Sequence, residues 1–359
     1  MKQITGKLKV RLYQICIALI LIIALEWLSK GILIHEGKDF PFFINIQSYR
    51  DDILSTYDFD PLLGWQWRKS ELKRGQSELG ETTFSITNKR IQQIGNGDSA
   101  GLKILITGGS TSDMVAYPNN WPIHLYHLLE ERKLNPTIYV AAVAGYNSGQ
   151  ELLRLIRDGI ELEPDIHISY SGANESKSPG YATHDEKQFF ENAVNNYGSF
   201  LLPNALYLLR KTFRGLFTSS EATLFDPQVQ GRDVPYEFWA ENMKIMKAIS
   251  ERYGYSFYGI LQPVLGVTYQ QNYLPLIEEE GLDFITDYLK KHQVFYPKAM
   301  HFIPTMNGLY DFTNIFDNES GKVFRDDCHL AESYHQACVA ERVLDLLANS
   351  TANFDLKSK

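Results

Sequence analysis

The sequence predicts an α/β fold in which a mostly parallel sheet carries helices on both faces. Two observations predict it. Short, unbroken apolar runs recur from residue 101 onward, and amphipathic stretches of helical length separate them. Strands alternating with helices imply parallel pairing through helical crossovers. A strand buried on both faces reads as a continuous apolar run rather than an alternating one.

Residues 102–107 (LKILIT) form the first such run. Residues 121–133 follow as a helix whose apolar face comes from Ile123, Leu125, Leu128 and Leu129. Pro122 suits its first turn, where no backbone N–H is needed. Residues 137–143 (TIYVAAV) are the second strand, 149–159 a helix and 165–170 (DIHISY) the third strand. Residues 176–233 break the rhythm and read as an insertion containing an amphipathic stretch at 201–217. The expected order then runs helix 236–253, strand 256–261, helix 274–291, a short last strand at 301–304 and a final helix at 333–349. Ahead of this lies an extension packed on the domain that follows, residues 35–100. It contains a turn-rich aromatic segment at 57–67, a partly alternating strand at 82–92, and a turn at Asn96-Gly97-Asp98. The expected organisation is thus 1–34, 35–100, a domain at 101–349, and a tail at 350–359.

The composition excludes several classes. Of 359 residues, 44% are hydrophobic and 22% charged, which is ordinary for a globular chain. The net charge of −8 argues against a nucleic-acid partner, which a basic surface would attract. Three cysteines cannot build a disulfide framework, although Cys328 and Cys338 could pair in an oxidising compartment.

The N-terminus faces a membrane. Lys2, Lys7, Lys9 and Arg11 precede an apolar run at 12–25, which extends to residue 34 across Glu26, Ser29 and Lys30. At 1.5 Å per residue the extended run measures roughly 34 Å, enough to cross a bilayer. No small-residue cleavage site follows Leu25, and Trp27 and Lys30 suit the far interface, so the expectation is an uncleaved anchor. The basic flank predicts the N-terminus inside and everything after about residue 35 outside the cytoplasm.

Chemistry is expected at the carboxyl ends of the strands. The first strand runs into Gly108-Gly109-Ser110-Thr111-Ser112-Asp113, which presents Ser110 at a turn whose N–H groups can stabilise an oxyanion. The second ends in Ala144-Gly145-Tyr146-Asn147-Ser148, with an unobstructed N–H at Gly145, and the third in Gly172-Ala173-Asn174-Glu175, with a side-chain donor at Asn174. Arg325-Asp326-Asp327-Cys328-His329 precedes the last helix. A serine needs a base to become nucleophilic, and the base needs a carboxylate to hold its tautomer. Asp326 and His329 supply both; Asp327 is the alternative carboxylate, and Glu332 with His335 the competing pair. Neither a phosphate-binding G-x-x-x-x-G-K-[ST] nor a dinucleotide G-x-G-x-x-G motif is present, and no His/Cys/carboxylate spacing fits a zinc site.

Together the four segments resemble the SGNH/GDSL hydrolase superfamily: GGST with Ser110, AGYNS with Gly145, GAN with Gly172 and Asn174, and DDCH with Asp326 and His329. The segment Asp60–Trp65 (DPLLGW) and the anchor resemble its membrane-tethered bacterial members. The resemblance implies a three-layer α/β/α sandwich and a serine esterase without metal or organic cofactor. Ser110 would be the nucleophile, His329 the base, Asp326 its partner, and Ser110, Gly145 and Asn174 the oxyanion donors. The chain departs from the pattern at Gly109, where the family has Asp, and at Glu175, where Asp is usual. The expected activity is hydrolysis of an ester, with O-acyl groups on a cell-surface glycan as the substrate. An O-acyltransferase with the same triad and a sugar acceptor is one alternative. A catalytically silent scaffold for envelope polysaccharide assembly is the other.

Overall fold

The computed structural model describes residues 57–68, 73–97, 101–177, 234–268, 283–319 and 321–350, with scattered helical positions between 13 and 29. The chain divides into two units, residues 1–55 with 188–226 and residues 56–187 with 227–359. In the first unit Tyr13, Ile17, Ile20, Leu21, Ile23, Leu25, Trp27 and Leu28 are helical and exposed. No helix among the described residues is long and apolar enough to cross a membrane. The amphipathic stretch at 201–217 lies outside the described residues.

The second unit holds an eight-stranded sheet and a two-stranded hairpin. The hairpin pairs β1 (Tyr57–Asp60) with β2 (Gly64–Trp67). The sheet strands are β3 (Lys73–Ser77), β4 (Gly80–Ile86), β5 (Gln92–Ile94), β6 (Lys103–Gly108), β7 (Thr137–Val140), β8 (Ile166–Ser171), β9 (Ser256–Leu261) and β10 (Leu309–Asp311). Their spatial order is β10-β9-β8-β6-β7-β5-β4-β3. The five from β10 to β7 run parallel, and β5, β4 and β3 extend that sheet antiparallel.

Side chains alternate cleanly across the parallel strands. Ile104, Ile106, Ile166, Ile168, Tyr258 and Ile260 enter one core; Leu105, Phe257 and Leu261 enter the other. Helices α1 (Trp121–Glu131) and α6 (Ser333–Ser350) close the first face with Trp121, Leu125, Val339 and Val343. Helices α4 (Val234–Tyr253) and α5 (Asp283–Phe302) close the second with Trp239, Met243, Phe295 and Ala299. Two short helices complete the set, α2 (Ser148–Arg154) and α3 (Ala173–Lys177).

Two expectations need correction. The helix expected over 149–159 is an α-helix only to Arg154 and continues as a wider π turn to Gly159, which packs on Leu105. The strand expected at 301–304 is not there: α5 continues through Pro297 to Phe302 and a 3-10 turn follows at Ile303–Thr305. The last strand is β10, entered from Gly308 at φ +89°. Cys328 and Cys338 are both free thiols.

Topology fixes where a site can form. From β6 the chain moves to β7 on one side and then returns to β8 on the other. Such a reversal opens a crevice outside the carboxyl ends of the strands. The turns after β6, β7 and β8 all meet there.

Candidate active site

The turn after β6 is a short 3-10 turn, Ser110–Ser112, closed by bonds from Ser112 N to Gly109 O and Asp113 N to Ser110 O. Asn120 steadies it by donating to the carbonyls of Ser110, at 3.1 Å, and Asp113, at 3.2 Å. The two serines of the turn differ in kind. Ser112 is fully buried and accepts from Trp121 Nε1 at 3.1 Å, so it is tied into the core. Ser110 is partly exposed, and its Oγ lies 2.7 Å from His329 Nε2.

His329 Nδ1 lies 2.7 Å from Asp326 Oδ2. Asp326 Oδ1 accepts the backbone N–H groups of Cys328 and His329, which makes the carboxylate the centre of its own loop. The loop is closed by a bridge between Phe324 and Leu330 and by Arg325 N donating to His329 O at 2.9 Å. Burial works against the charge on Asp326, yet His329 and the two N–H groups hold its carboxyl down at about 2. Burial also works against an imidazolium at His329, but Cys328 and Asp326 outweigh it and raise the imidazole above its ordinary value.

The neighbouring carboxylate faces elsewhere. Asp327 Oδ2 lies 2.9 Å from His292 Nε2 and 2.6 Å from Lys177 Nζ, and His292 Nδ1 lies 2.6 Å from Ser176 Oγ. This second serine–histidine–aspartate chain is buried throughout. Ser176 donates to Ala173 O at 2.8 Å, so it is a structural element linking α3, α5 and the histidine loop. Asp327 is therefore not the partner of His329. The competing pair is also set apart: Glu332 is exposed, while His335 is buried edge-on against Phe316 instead of lying on the surface. Burial lowers His124, to about 4, and His167, so both stay neutral. His124 sits 3.1 Å from Asn119 O, and His167 lies between Thr107 and Ser250 inside the sheet face.

The remaining turns converge on Ser110. Gly145 has φ +86°, and a Cβ there would come within 3.0 Å of the Trp65 ring, so glycine is required on both counts. Trp65 belongs to the DPLLGW segment. Its Nε1 donates to Ala144 O at 3.1 Å, while Tyr146 donates its hydroxyl to Trp65 O and Gln150 donates to Leu63 O at 2.7 Å. The hairpin thus clamps the turn that offers the Gly145 N–H. Asn147 caps α2 by accepting from Gly149 N and Gln150 N. Asn174, on α3, donates through Nδ2 to Tyr146 O at 2.8 Å and keeps its second amide hydrogen. A Cβ at Gly109 would come within 2.5 Å of that Nδ2. Glycine at this position lets Asn174 approach the turn after β6. Glu175 accepts Gly172 N at 2.9 Å and also Ser148 N, joining the second and third turns. Burial raises the Glu175 carboxyl against the hydrogen bonds from Ser148 and Gly172, and burial together with Glu175 raises Glu151.

Two residues at the centre of this arrangement have no motif to announce them. Asp113 is fully buried and accepts from Gln92 Nε2, Val115 N and Ala144 N, each at 3.0 Å. It ties the turn after β6 to the turn after β7, and burial pushes its carboxyl up to about 7. Gln92 reaches in from β5 to accept Met114 N and Val115 N and to donate to Ala142 O. Asp326, Cys328 and His329 offer three ligand atoms within 4.8 Å of one another. The His329–Asp326 hydrogen bond already uses two of them.

A polar cleft opens beside His329, lined by Thr111, Tyr117, Asn119, Tyr170, Arg325 and Gln336 among others. No family model and no curated protein matches the chain. Solved structures similar to it include an acetylxylan esterase from Geobacillus stearothermophilus, at 12% identity, 73% of this chain, 100% of that one and TM-score 0.42. Another is an alpha/beta hydrolase from the Lake Arreo metagenome, at 14% identity, 72% and 100% coverage and TM-score 0.43. A third is a GDSL-like lipase from Bacteroides thetaiotaomicron, at 11% identity, 69% and 89% coverage and TM-score 0.38.

Proposed function

We propose that the chain is a serine esterase acting through Ser110, His329 and Asp326. The observation that carries this reading is the 2.7 Å approach of His329 Nε2 to Ser110 Oγ, with Asp326 at 2.7 Å on the other ring nitrogen. Ser110 Oγ attacks the ester carbonyl while His329 takes its proton. Asp326 holds the tautomer and balances the imidazolium. The negative oxygen of the tetrahedral intermediate is held by the N–H groups of Ser110 and Gly145 and the free amide hydrogen of Asn174. Collapse expels the alcohol, which leaves with the proton from His329. Water, activated by the same imidazole, then frees the acid and restores Ser110. The scheme asks for no metal or organic cofactor.

The substrate we favour is an O-acyl group on a glycan at the cell surface, met outside the cytoplasm by a domain tethered through residues 12–34. The tether rests on the basic flank at Lys2–Arg11, the apolar run after it, and the exposed apolar helical positions within it. The reading is tested by hydrolysis of 4-nitrophenyl acetate and of acetylated oligosaccharides. Turnover lost in Ser110→Ala supports it, and turnover retained in that variant ends it. Fractionation of cells producing the full chain, with protease added from outside, tests the tether.

A further inference from the structure

One cation lining the cleft has no ion-pair partner among the described residues. Arg68, Arg90, Arg154 and Arg157 each pair with an aspartate. Arg325 does not: among the described residues no carboxylate pairs with its guanidinium, whose Cζ instead lies 4.0 Å from the Tyr117 ring centroid. Tyr117 in turn lies 5.0 Å from the His329 ring. Guanidinium, phenol and imidazole thus follow one another toward Ser110, and Arg325, Tyr117 and His329 line the same cleft. The closed loop from Phe324 to Leu330 fixes the spacing between Arg325 and His329. Stacking engages the face of a guanidinium and leaves its in-plane N–H donors available. Those donors form the fork that matches a carboxylate or a phosphate.

We infer that Arg325 selects esters whose sugar or alcohol carries an anion close to the scissile bond, a carboxylate or a phosphate. This rests on the esterase reading and adds the charge of the substrate to it. Tyr117 is the platform on which Arg325 is held. The selectivity is expressed at binding, because the anion does not change during acyl transfer.

The test uses matched acetyl esters: a methyl O-acetyl galacturonide, the corresponding galactoside, and the galactoside 6-phosphate. The full chain and its Arg325→Gln and Arg325→Lys variants are compared by the ratio of kcat/KM between charged and neutral esters. The expected ratio is about ten-fold or more in the unaltered chain, carried by KM. It falls toward one in Arg325→Gln, is partly kept in Arg325→Lys, and shrinks with added salt. Preference for the uronide or for the phosphate tells the two anions apart, and either supports the inference. A ratio of one in the unaltered chain, or a ratio that survives Arg325→Gln, overturns it. If Arg325→Gln does not fold, Arg325→Lys and the salt series decide. If no ester is cleaved, including 4-nitrophenyl acetate, the esterase reading has failed. Calorimetric affinities for uronide and galactoside then judge this inference separately, and equal affinities overturn it.

Discussion

Asp326 and Asp327 are adjacent in the chain yet serve two different imidazoles, one 2.7 Å from His329 Nδ1 and the other 2.9 Å from His292 Nε2. The first faces the cleft beside Ser110. The second is buried with Lys177 and holds the loop against α3 and α5. Proposed chemistry and local stability are thus divided between neighbouring carboxylates.

That division predicts opposite phenotypes. Asp326→Asn keeps the fold and lowers kcat by about 10⁴, because the imidazole loses its tautomer and its balancing charge. Asp327→Ala takes the carboxylate from Lys177 and from His292 Nε2, both inside the fold, and costs about 3–5 kcal/mol of stability. Denaturant melts and kcat, measured on both variants, separate the two roles. A larger loss of kcat in folded Asp327→Ala than in Asp326→Asn contradicts the assignment.

Gly109→Ala should act through Asn174. The new Cβ meets Asn174 Nδ2 and drives the amide from its place beside Tyr146 O. Loss of one oxyanion donor costs roughly 10²–10³ in kcat. The expected result is a fall in kcat with KM little changed, matched by Asn174→Ala and not compounded in the double variant. Additive losses would show that Gly109 matters for another reason.

The pH profile follows from His329. Its imidazole is raised above the ordinary value, and only the neutral form accepts the Ser110 proton. Activity is therefore lost as pH falls through that raised value, and the acid limb of kcat/KM lies above 6.5. Cys328 is the largest of the contributions that raise it, so Cys328→Ala should move the limb toward lower pH. For stability the sign is reversed. A raised histidine contributes fully below its unfolded value and loses that contribution as pH climbs through the folded one. A limb unmoved by Cys328→Ala counts against this electrostatic account.

Gln92→Ala removes a buried side chain that makes four hydrogen bonds, to Asp113, Ala142, Met114 and Val115. Orphaning such groups costs about 1–3 kcal/mol each. The variant should melt earlier and, where folded, lose kcat, since Asp113 no longer fixes the turns after β6 and β7. Unchanged stability would show that water replaces the amide.

What the sequence disclosed follows physical lines. The parallel strands stood out because burial on both faces leaves unbroken apolar runs, as at Ser256–Leu261, expected and found over the same six residues. The antiparallel strands beyond β7 were less legible. Lys73–Ser77 (KRGQS) is polar at an edge and carries no apolar period. The segment at 301–304 reads as a short strand because the apolar residues that end α5 resemble one, whereas the helix runs on through Pro297 to Phe302. In the site, Ser110, Gly145, Asn174, Asp326 and His329 each sit at a strand end or before a helix, where position itself is the signal. Asp113, Gln92, His292 and Lys177 gave none. Their partners lie far along the chain, as with His292 and Asp327, 35 residues apart, and only the fold brings them together.

The central claim is that Ser110 is an activated nucleophile. Treating the full chain with a fluorophosphonate and mapping the adduct by peptide mass tests it most directly. The account predicts one adduct, on Ser110, absent from His329→Ala. No adduct on a folded, monodisperse sample, or an adduct on Ser112, would contradict it.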